Sequence, residues 1–375
     1  MDDKKLHAEL EELRRQLHYH LYRYHVLDDP VISDLEYDQM MVRLRQIESE
    51  HPDWITPDSP SQRTGAPPTE KFSKVQHPGP VLSLSNAFNL EEVRGWYERM
   101  IRLDERVRTA DFVVEPKIDG LTVVLHYVDG QFVQGATRGD GEIGEDITTN
   151  LRTIRAVPLR IPVDPQGPPP PHRLVVRGEA FMFLKDFEAL NQRLLEAGEK
   201  TYLNPRNTAA GSLRQLDSNL TASRPLTLLT YAIVAADGPL PATQWDRLQY
   251  LKNLGFPVTD LADYCADIEA VLQVCAGWQQ RRDSLPFEAD GAVIKINDLS
   301  LADELGIVGK DPRGAVALKF PAREVTTTLQ NIGVNVGRTG VLAPYAMLEP
   351  VEIGGVVVKQ ATLHNFDYNA PRRAS

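Results

Sequence analysis

Cysteine is scarce: Cys265 and Cys275 are the only two among 375 residues. Two thiols build neither a disulfide framework nor a four-cysteine zinc site, so no zinc is expected and a reducing cytoplasm is the fitting compartment. Long apolar runs are missing too. The longest, Leu226 to Ala236, is too short to span a bilayer, and the amino-terminal stretch stays charged as far as Arg15, so neither secretion nor a membrane partner is expected. Positive charge is in deficit. With 41 Lys and Arg against 52 Asp and Glu, the net charge of −11 excludes a polyanion binder with a uniformly basic surface and leaves only a segregated basic face for such a contact. No G-x-x-x-x-G-K-[ST] run is present, which removes the P-loop. What remains is an ordinary globular composition, 42% hydrophobic and 25% charged, long enough for about two to three domains.

Leu6, Leu10, Leu13, Leu17, Leu21 and Tyr24 recur at steps of three and four and mark the buried face of an amphipathic helix, with Glu9, Glu12, Arg15 and Arg23 opposite. Ser33 followed by Glu36 reads as a capping box that opens a second helix burying Tyr37, Met41, Leu44 and Ile47. These two form a helical hairpin. Prolines 52, 57, 60, 67 and 68 then predict a linker without regular structure from about 50 to 70. Beyond it the pattern turns to strands at Phe112 to Val114, Leu121 to Val128 and Gln131 to Ala136, the last two joined by an Asp129-Gly130 turn. Further strands are predicted at Leu174 to Arg177, Thr227 to Val234, Ala292 to Ile296 and Ala315 to Phe320, with helices over Lys185 to Ala197 and Leu261 to Arg282. A valine- and glycine-rich section follows, with strands expected at Val325 to Val336, Val341 to Leu348 and Val356 to Ala361.

Glu115-Pro116-Lys117-Ile118-Asp119-Gly120 carries the sharpest chemistry, a lysine at the end of an apolar strand with a carboxylate two positions on and a glycine closing the turn. A lysine nucleophile attacks as the free amine, which burial or neighbouring cations favour, and Lys295 and Lys319 at two other strand ends supply such cations. Taken alone, Lys-x-Asp-Gly is a solvated strand end followed by its turn. Gly139-Asp140-Gly141-Glu142-Ile143-Gly144 fits the dinucleotide-binding pattern literally, yet its acidic residues and its place after a β-hairpin reject that reading. The nine histidines show no metal-ligand spacing.

Ten segments in order give the chain a resemblance to the covalent nucleotidyltransferases, and more narrowly to the bacterial NAD-dependent DNA ligases. They are Tyr24-His25 with Asp34-x-x-Tyr37-Asp38, Thr56 to Pro60, Leu82 to Asn86, Glu115 to Gly120, Thr137 to Gly141, Arg177-Gly178-Glu179, Asn204 to Asn207, Gly211 to Asp217, Asp290 to Lys295, and Lys319 to Ala322. The resemblance implies an α+β fold: an N-terminal helical hairpin over 1–68, an antiparallel-sheet, ATP-grasp-like adenylation domain over 69–321, and a partial OB-fold barrel over 322–375. It implies that Lys117 attacks NAD to form lysyl-AMP, releasing nicotinamide mononucleotide, and that AMP then activates the 5′-phosphate of nicked duplex DNA in replication and repair.

By the same resemblance Glu115 recognises adenine, Glu179 the ribose and Lys319 the adenylyl phosphate, while Ser83, Leu84, Arg138 and Lys295 make further cofactor contacts. Tyr24, His25, Asp34, Tyr37 and Asp38 are expected to cover the nicotinamide mononucleotide half; read alone, they are core aromatics and a solvated acidic edge. Asp119 and Asp290 are expected near Mg²⁺ or Mn²⁺, and Arg206, Arg214 and Arg338 at DNA phosphates. A cytoplasmic bacterial monomer is the expected setting. Two departures stand out. Gly314 occupies a position where tryptophan is expected, and the section from Ala322 to Ser375 is long enough for about three of the five strands of an OB barrel. Intact self-adenylation with weak nick sealing is therefore expected, against the alternative of a non-catalytic nucleotide- or nucleic-acid-binding fragment.

Overall fold

The computed structural model describes residues 3–63, 71–321, 325–336, 342–353 and 356–363. Contacts divide the chain into two compact units, Met1–Thr201 with Pro205–Phe320, and Tyr202–Asn204 with Pro321–Ser375.

The first unit opens with the expected helical hairpin, Asp3–His25 and Asp34–Glu50, whose core is Leu6, Leu10, Leu17, Leu44 and Ile47. Ser33 Oγ accepts from the Glu36 amide and Glu36 accepts from the Ser33 amide, so the capping box forms. Tyr24 departs from expectation and is 51% exposed. It lies in the last helical turn, beside the reversal at Asp28 (φ 50°), and its ring meets His25 edge-on at 4.7 Å. Helical periodicity hides a second feature of the hairpin, a buried ion pair. Arg14 Nη2 lies 2.8 Å from Glu48 Oε1, and Ser59 Oγ donates to that same oxygen at 2.6 Å. Arg14 also donates to the Trp54 carbonyl at 2.7 Å. These bonds pin the proline-rich stretch to the hairpin. The predicted linker thus contains short 3-10 turns at Pro52–Trp54 and Pro60–Arg63, and its 64–70 part lies outside the described residues.

Arg63 fastens this stretch to the core. Its guanidinium donates to the carbonyls of Ile154 (2.9 Å) and Val157 (2.8 Å), and burial lowers its pKa to about 10. Arg63→Met removes two charged donors from buried carbonyls and is expected to cost about 3 kcal/mol in urea denaturation. A loss within experimental error would contradict the anchoring.

Two large sheets dominate the rest of the unit. The five-stranded sheet runs in the order Asn86–Ala87, Ala315–Lys319, Ala289–Ile296, Phe112–Ile118, Asp263–Cys265, antiparallel except at its Asn86–Ala87 edge. The four-stranded antiparallel sheet runs Gln131–Thr137, Leu121–Val128, Arg173–Phe181, Thr227–Ala236. Each sheet has its own core, built around Trp96, Phe112, Trp278 and Ile294 in the first and around Leu125, Tyr127, Phe132 and Phe256 in the second. Asp129 and Gly130 both have positive φ, as the expected two-residue hairpin turn requires. The helix predicted over Leu261 to Arg282 is corrected. Asp263–Cys265 is an edge strand paired with Phe112–Val114, and the helix Ile268–Arg281 starts only after Asp267, whose side chain caps the Ala270 amide at 2.8 Å. Cys265 and Cys275 are free and buried, and burial pushes their thiols up to about 11 and about 12. Among the described residues, no helix is long and apolar enough to cross a membrane.

The second unit is an antiparallel three-stranded sheet, Leu329–Val336, Leu342–Ile353 and Val356–Thr362, without barrel closure among the described residues. Leu329, Ile332, Val334, Leu342 and Val357 are exposed on it. Arg338, expected at DNA, lies outside the described residues.

Candidate active site

Strand register assembles the site. In the central sheet Gly291 is the partner of both Lys117 and Lys319, and Val293 is the partner of Glu115. Residues two apart on a strand share a face, so Glu115 and Lys117 project from one side together with the flanking positions of Lys295 and Lys319. A register shift between Ala289 and Gly291 interrupts the ladder at Asp290 and re-aims its side chain. Asp290 therefore meets both lysines: its Oδ1 lies 3.0 Å from Lys117 Nζ, and its Oδ2 accepts from Lys319. Burial works against its charge, but Lys319 and Lys117 outweigh burial and hold the carboxyl below its ordinary range. Gly120 closes the turn after Lys117 with no space to spare, since a Cβ there would sit 2.3 Å from the Ala180 carbonyl oxygen.

Around this group lies a cleft of about 710 Å³ lined from both sheets. Of the expected cofactor contacts, Ser83, Leu84, Glu115, Lys117, Arg138, Glu179, Lys295 and Lys319 line it. Glu115 is only 3% exposed and is held by Lys295 at 2.6 Å. Across the cleft, Thr122 Oγ1 and the Tyr231 hydroxyl donate to Glu179 at 2.9 Å and 3.3 Å. Burial pushes the Glu179 carboxyl up to about 7 against these donors and Arg177. A ribose hydroxyl donating to Glu179 favours the carboxylate, so binding releases a proton. Adenosine affinity is therefore expected to rise with pH toward and through 7, by at most about tenfold per unit. Glu179→Gln is expected to flatten that profile in equilibrium titrations, and a flat profile in the unaltered protein would contradict the assignment.

Sequence reasoning missed Tyr231 and Gln244. The Tyr231 ring lies under two cations, Arg177 and Lys295, each 5.4 Å from its centroid. Gln244 Nε2 donates to Glu115 Oε1 at 2.9 Å and to the Tyr231 carbonyl at 3.0 Å. The first residue of a helix carries no motif that announces a contact with a distant strand.

Other expected residues fall elsewhere. Tyr24, His25, Asp34, Tyr37 and Asp38 do not line the cleft. Asp34 and Asp38 are exposed, while burial, reinforced by Arg155 and Arg63, lowers the His25 pKa to about 4 and leaves its ring neutral at pH 7. Asp119 is engaged by Arg206 at 3.1 Å, and burial, with Asp290 adding, raises its carboxyl pKa. Arg214 pairs with Glu145 at 3.2 Å, so both described DNA candidates hold carboxylates, and both lie on the cleft wall. Among the described residues, no three His, Cys, Asp or Glu side chains group as a metal cage. With Asp119 and Asp290 each engaged by cations, the protein side is not preformed for Mg²⁺, which binds through one or two carboxylates together with substrate phosphates and water.

The glycine-rich decoy is settled by its amides. Those of Glu142 and Ile143 donate to Asp140 Oδ1 at 2.9 and 2.8 Å, which occupies donors a pyrophosphate would need. At Gly314 a Cβ would lie 2.6 Å from the Ala302 Cβ. No larger side chain fits while Ala302 stays in place, yet the adjoining strand Ala315–Lys319 forms.

Residues 69–323 match the NAD-dependent DNA ligase adenylation domain, 3–65 the DNA ligase-like N-terminal NAD+-binding domain, and 326–372 the NAD-dependent DNA ligase OB-fold domain. A DNA ligase of Roseiflexus castenholzii is 53% identical over 371 residues, covering 96% of this chain and 51% of the relative. Those of Chloroflexus aggregans and Herpetosiphon aurantiacus are 53% and 52% identical, covering 97% and 96% of this chain and 54% and 53% of their own lengths. The chain spans about half the length of the curated relatives it matches. Three domain matches in order, with a cleft that gathers lysines from one sheet and carboxylates from both, place the chain in the NAD-dependent DNA ligase family.

Proposed function

We propose that the cleft moves an adenylyl group from NAD to Lys117 and then to the 5′-phosphate of nicked duplex DNA, which an adjacent 3′-hydroxyl closes with release of AMP. One arrangement carries this reading: Lys117 and Lys319 share Asp290 beside Glu115 and opposite Glu179. In the first step the Lys117 amine forms a P–N bond to the adenylyl phosphorus. The P–O bond to nicotinamide mononucleotide breaks, its oxygen keeps the electron pair, and the nitrogen loses a proton to solvent. Lys319 stands where charge grows on the phosphoryl oxygens. Mg²⁺ or Mn²⁺, brought with the pyrophosphate, supplies further charge neutralisation when bound.

In this assignment Glu115, Lys295, Ser83, Leu84 and Arg138 hold the adenylyl half, with Glu179 at the ribose. Tyr24, His25, Asp34, Tyr37 and Asp38 take the nicotinamide mononucleotide half, which requires the hairpin to move over the cleft. Arg206 and Arg214 exchange their carboxylate partners for DNA phosphates, and Arg338 is a further candidate for a DNA phosphate. The working division is 1–68 for dinucleotide recognition, 69–321 for adenylyl transfer and 322–375 for the OB part, in a cytoplasmic monomer. Incubation with NAD and Mg²⁺ is expected to release one nicotinamide mononucleotide per protein molecule, while ATP gives no adduct. Equal reaction with ATP would contradict the proposal, and adenosine binding without any release would favour a non-catalytic nucleotide-binding fragment.

A further inference from the structure

We infer that Gln244 is a positioning residue for base selection, setting the Glu115 carboxylate so that one oxygen is reserved for an exocyclic amino group on the purine. The inference rests on the adenylyl-transfer reading above and adds to it a residue that touches no reacting atom. Gln244 is 4% exposed at the start of the helix Gln244–Leu254, and its own amide nitrogen donates to the Asn297 carbonyl at 2.8 Å. Thr243 caps that helix, and the Trp245 amide is held by Asn297 Oδ1 at 2.9 Å, so the backbone beneath the side chain is fixed on both sides. Both protons of the Gln244 amide are used, one on Glu115 Oε1 and one on the Tyr231 carbonyl. Rotating the amide would set its oxygen against a carboxylate and a carbonyl, so the fork has a single orientation.

Lys295 adds a second contact to the same Oε1 at 2.6 Å and also donates to the Tyr231 carbonyl at 3.3 Å. Gln244 therefore donates to Oε1 and the Lys295 ammonium approaches the same oxygen, while among the described residues no hydrogen bond is donated to Glu115 Oε2. Glu115 lines the cleft, and a carboxylate oxygen can only accept. It attracts an amino group on the six-membered ring and repels an oxo group at the same position, because a carbonyl and a carboxylate bring two acceptors together. Lys295 alone does not fix this, since a flexible point charge tolerates rotation of its partner, whereas a two-proton amide fork anchored to a helix start does not.

The test measures the self-adenylation rate of the full 375-residue chain with NAD and with nicotinamide hypoxanthine dinucleotide, which carries oxo in place of amino. Gln244→Met keeps the length and removes the donor; Gln244→Asn keeps the amide one methylene short of Glu115. In each the NAD rate at low substrate is expected to fall about tenfold, the factor for one hydrogen bond to a charged group, while the hypoxanthine rate holds and the preference collapses. Adenosine against inosine affinity gives the same comparison without chemistry, and thermal melting identifies any variant that fails to fold. A folded variant with both rates lowered equally, or with the preference of the unaltered chain, would overturn the inference. Absence of reaction with NAD in the unaltered chain would instead sink the adenylyl-transfer reading.

Discussion

Lys117→Ala is expected to abolish the covalent adduct, lowering its rate of formation by about a million-fold, the order seen when a catalytic nucleophile is deleted. Among the described residues the two other lysines that line the cleft, Lys319 and Lys295, have in this assignment other work, at the phosphoryl oxygens and at Glu115. Fold and nucleotide affinity are expected to survive. Lys117 is partly exposed, and its loss leaves Asp290 still paired with Lys319, so no charge is stranded in the cleft. Lys117→Arg separates charge from nucleophilicity. A guanidinium keeps a cation beside Asp290 but has no reactive lone pair at neutral pH, so this variant is expected to be as inert as alanine. Incorporation of labelled AMP measures both, and a residual rate within about a hundredfold of the unaltered chain would move the nucleophile elsewhere.

Asp290→Asn is expected to slow adduct formation at saturating NAD by about a hundredfold, with a much smaller change in KM. Its carboxylate is the common partner of Lys117 and Lys319 and occupies the one place where the central strand bulges. An asparagine offers one neutral acceptor where two cations met a charge. The two ammonium groups then repel one another, and an in-line attack loses its alignment. Because the substitution is nearly isosteric, a collapse of the fold is not the expected cause, and melting curves separate the two effects. A rate close to that of the unaltered chain would show that strand geometry alone aims Lys117.

Much of this was legible in the sequence because it was local. The hairpin, its Ser33 capping box, the Asp129-Gly130 turn and the strand that carries Lys117 each follow from spacing within a few residues. What escaped depends on pairing between distant strands. No pattern near Asp290 announces the register shift that turns it toward two lysines, and Gln244 reaches Glu115 only because the helix Gln244–Leu254 starts beside the Thr227–Ala236 strand that carries Tyr231. The apolar residues of Leu261 to Arg282 fit a helix throughout and so hide the strand Asp263–Cys265, although Asp267 carries the cap that places the true helix start. Tyr24 fits the periodicity yet stays exposed, since a buried stripe needs a partner as far as its last turn. Arg14 and Glu48, both buried, look in sequence like two more charges on solvated helices.

The central claim is that NAD adenylates Lys117 itself. Intact-protein mass spectrometry after exposure to NAD and Mg²⁺, followed by peptide mapping, tests it most directly. The expected result is a single added adenylyl group carried by the peptide that contains Lys117, present with NAD and absent with ATP. An unmodified protein, or an adenylyl group on any other residue, would contradict it.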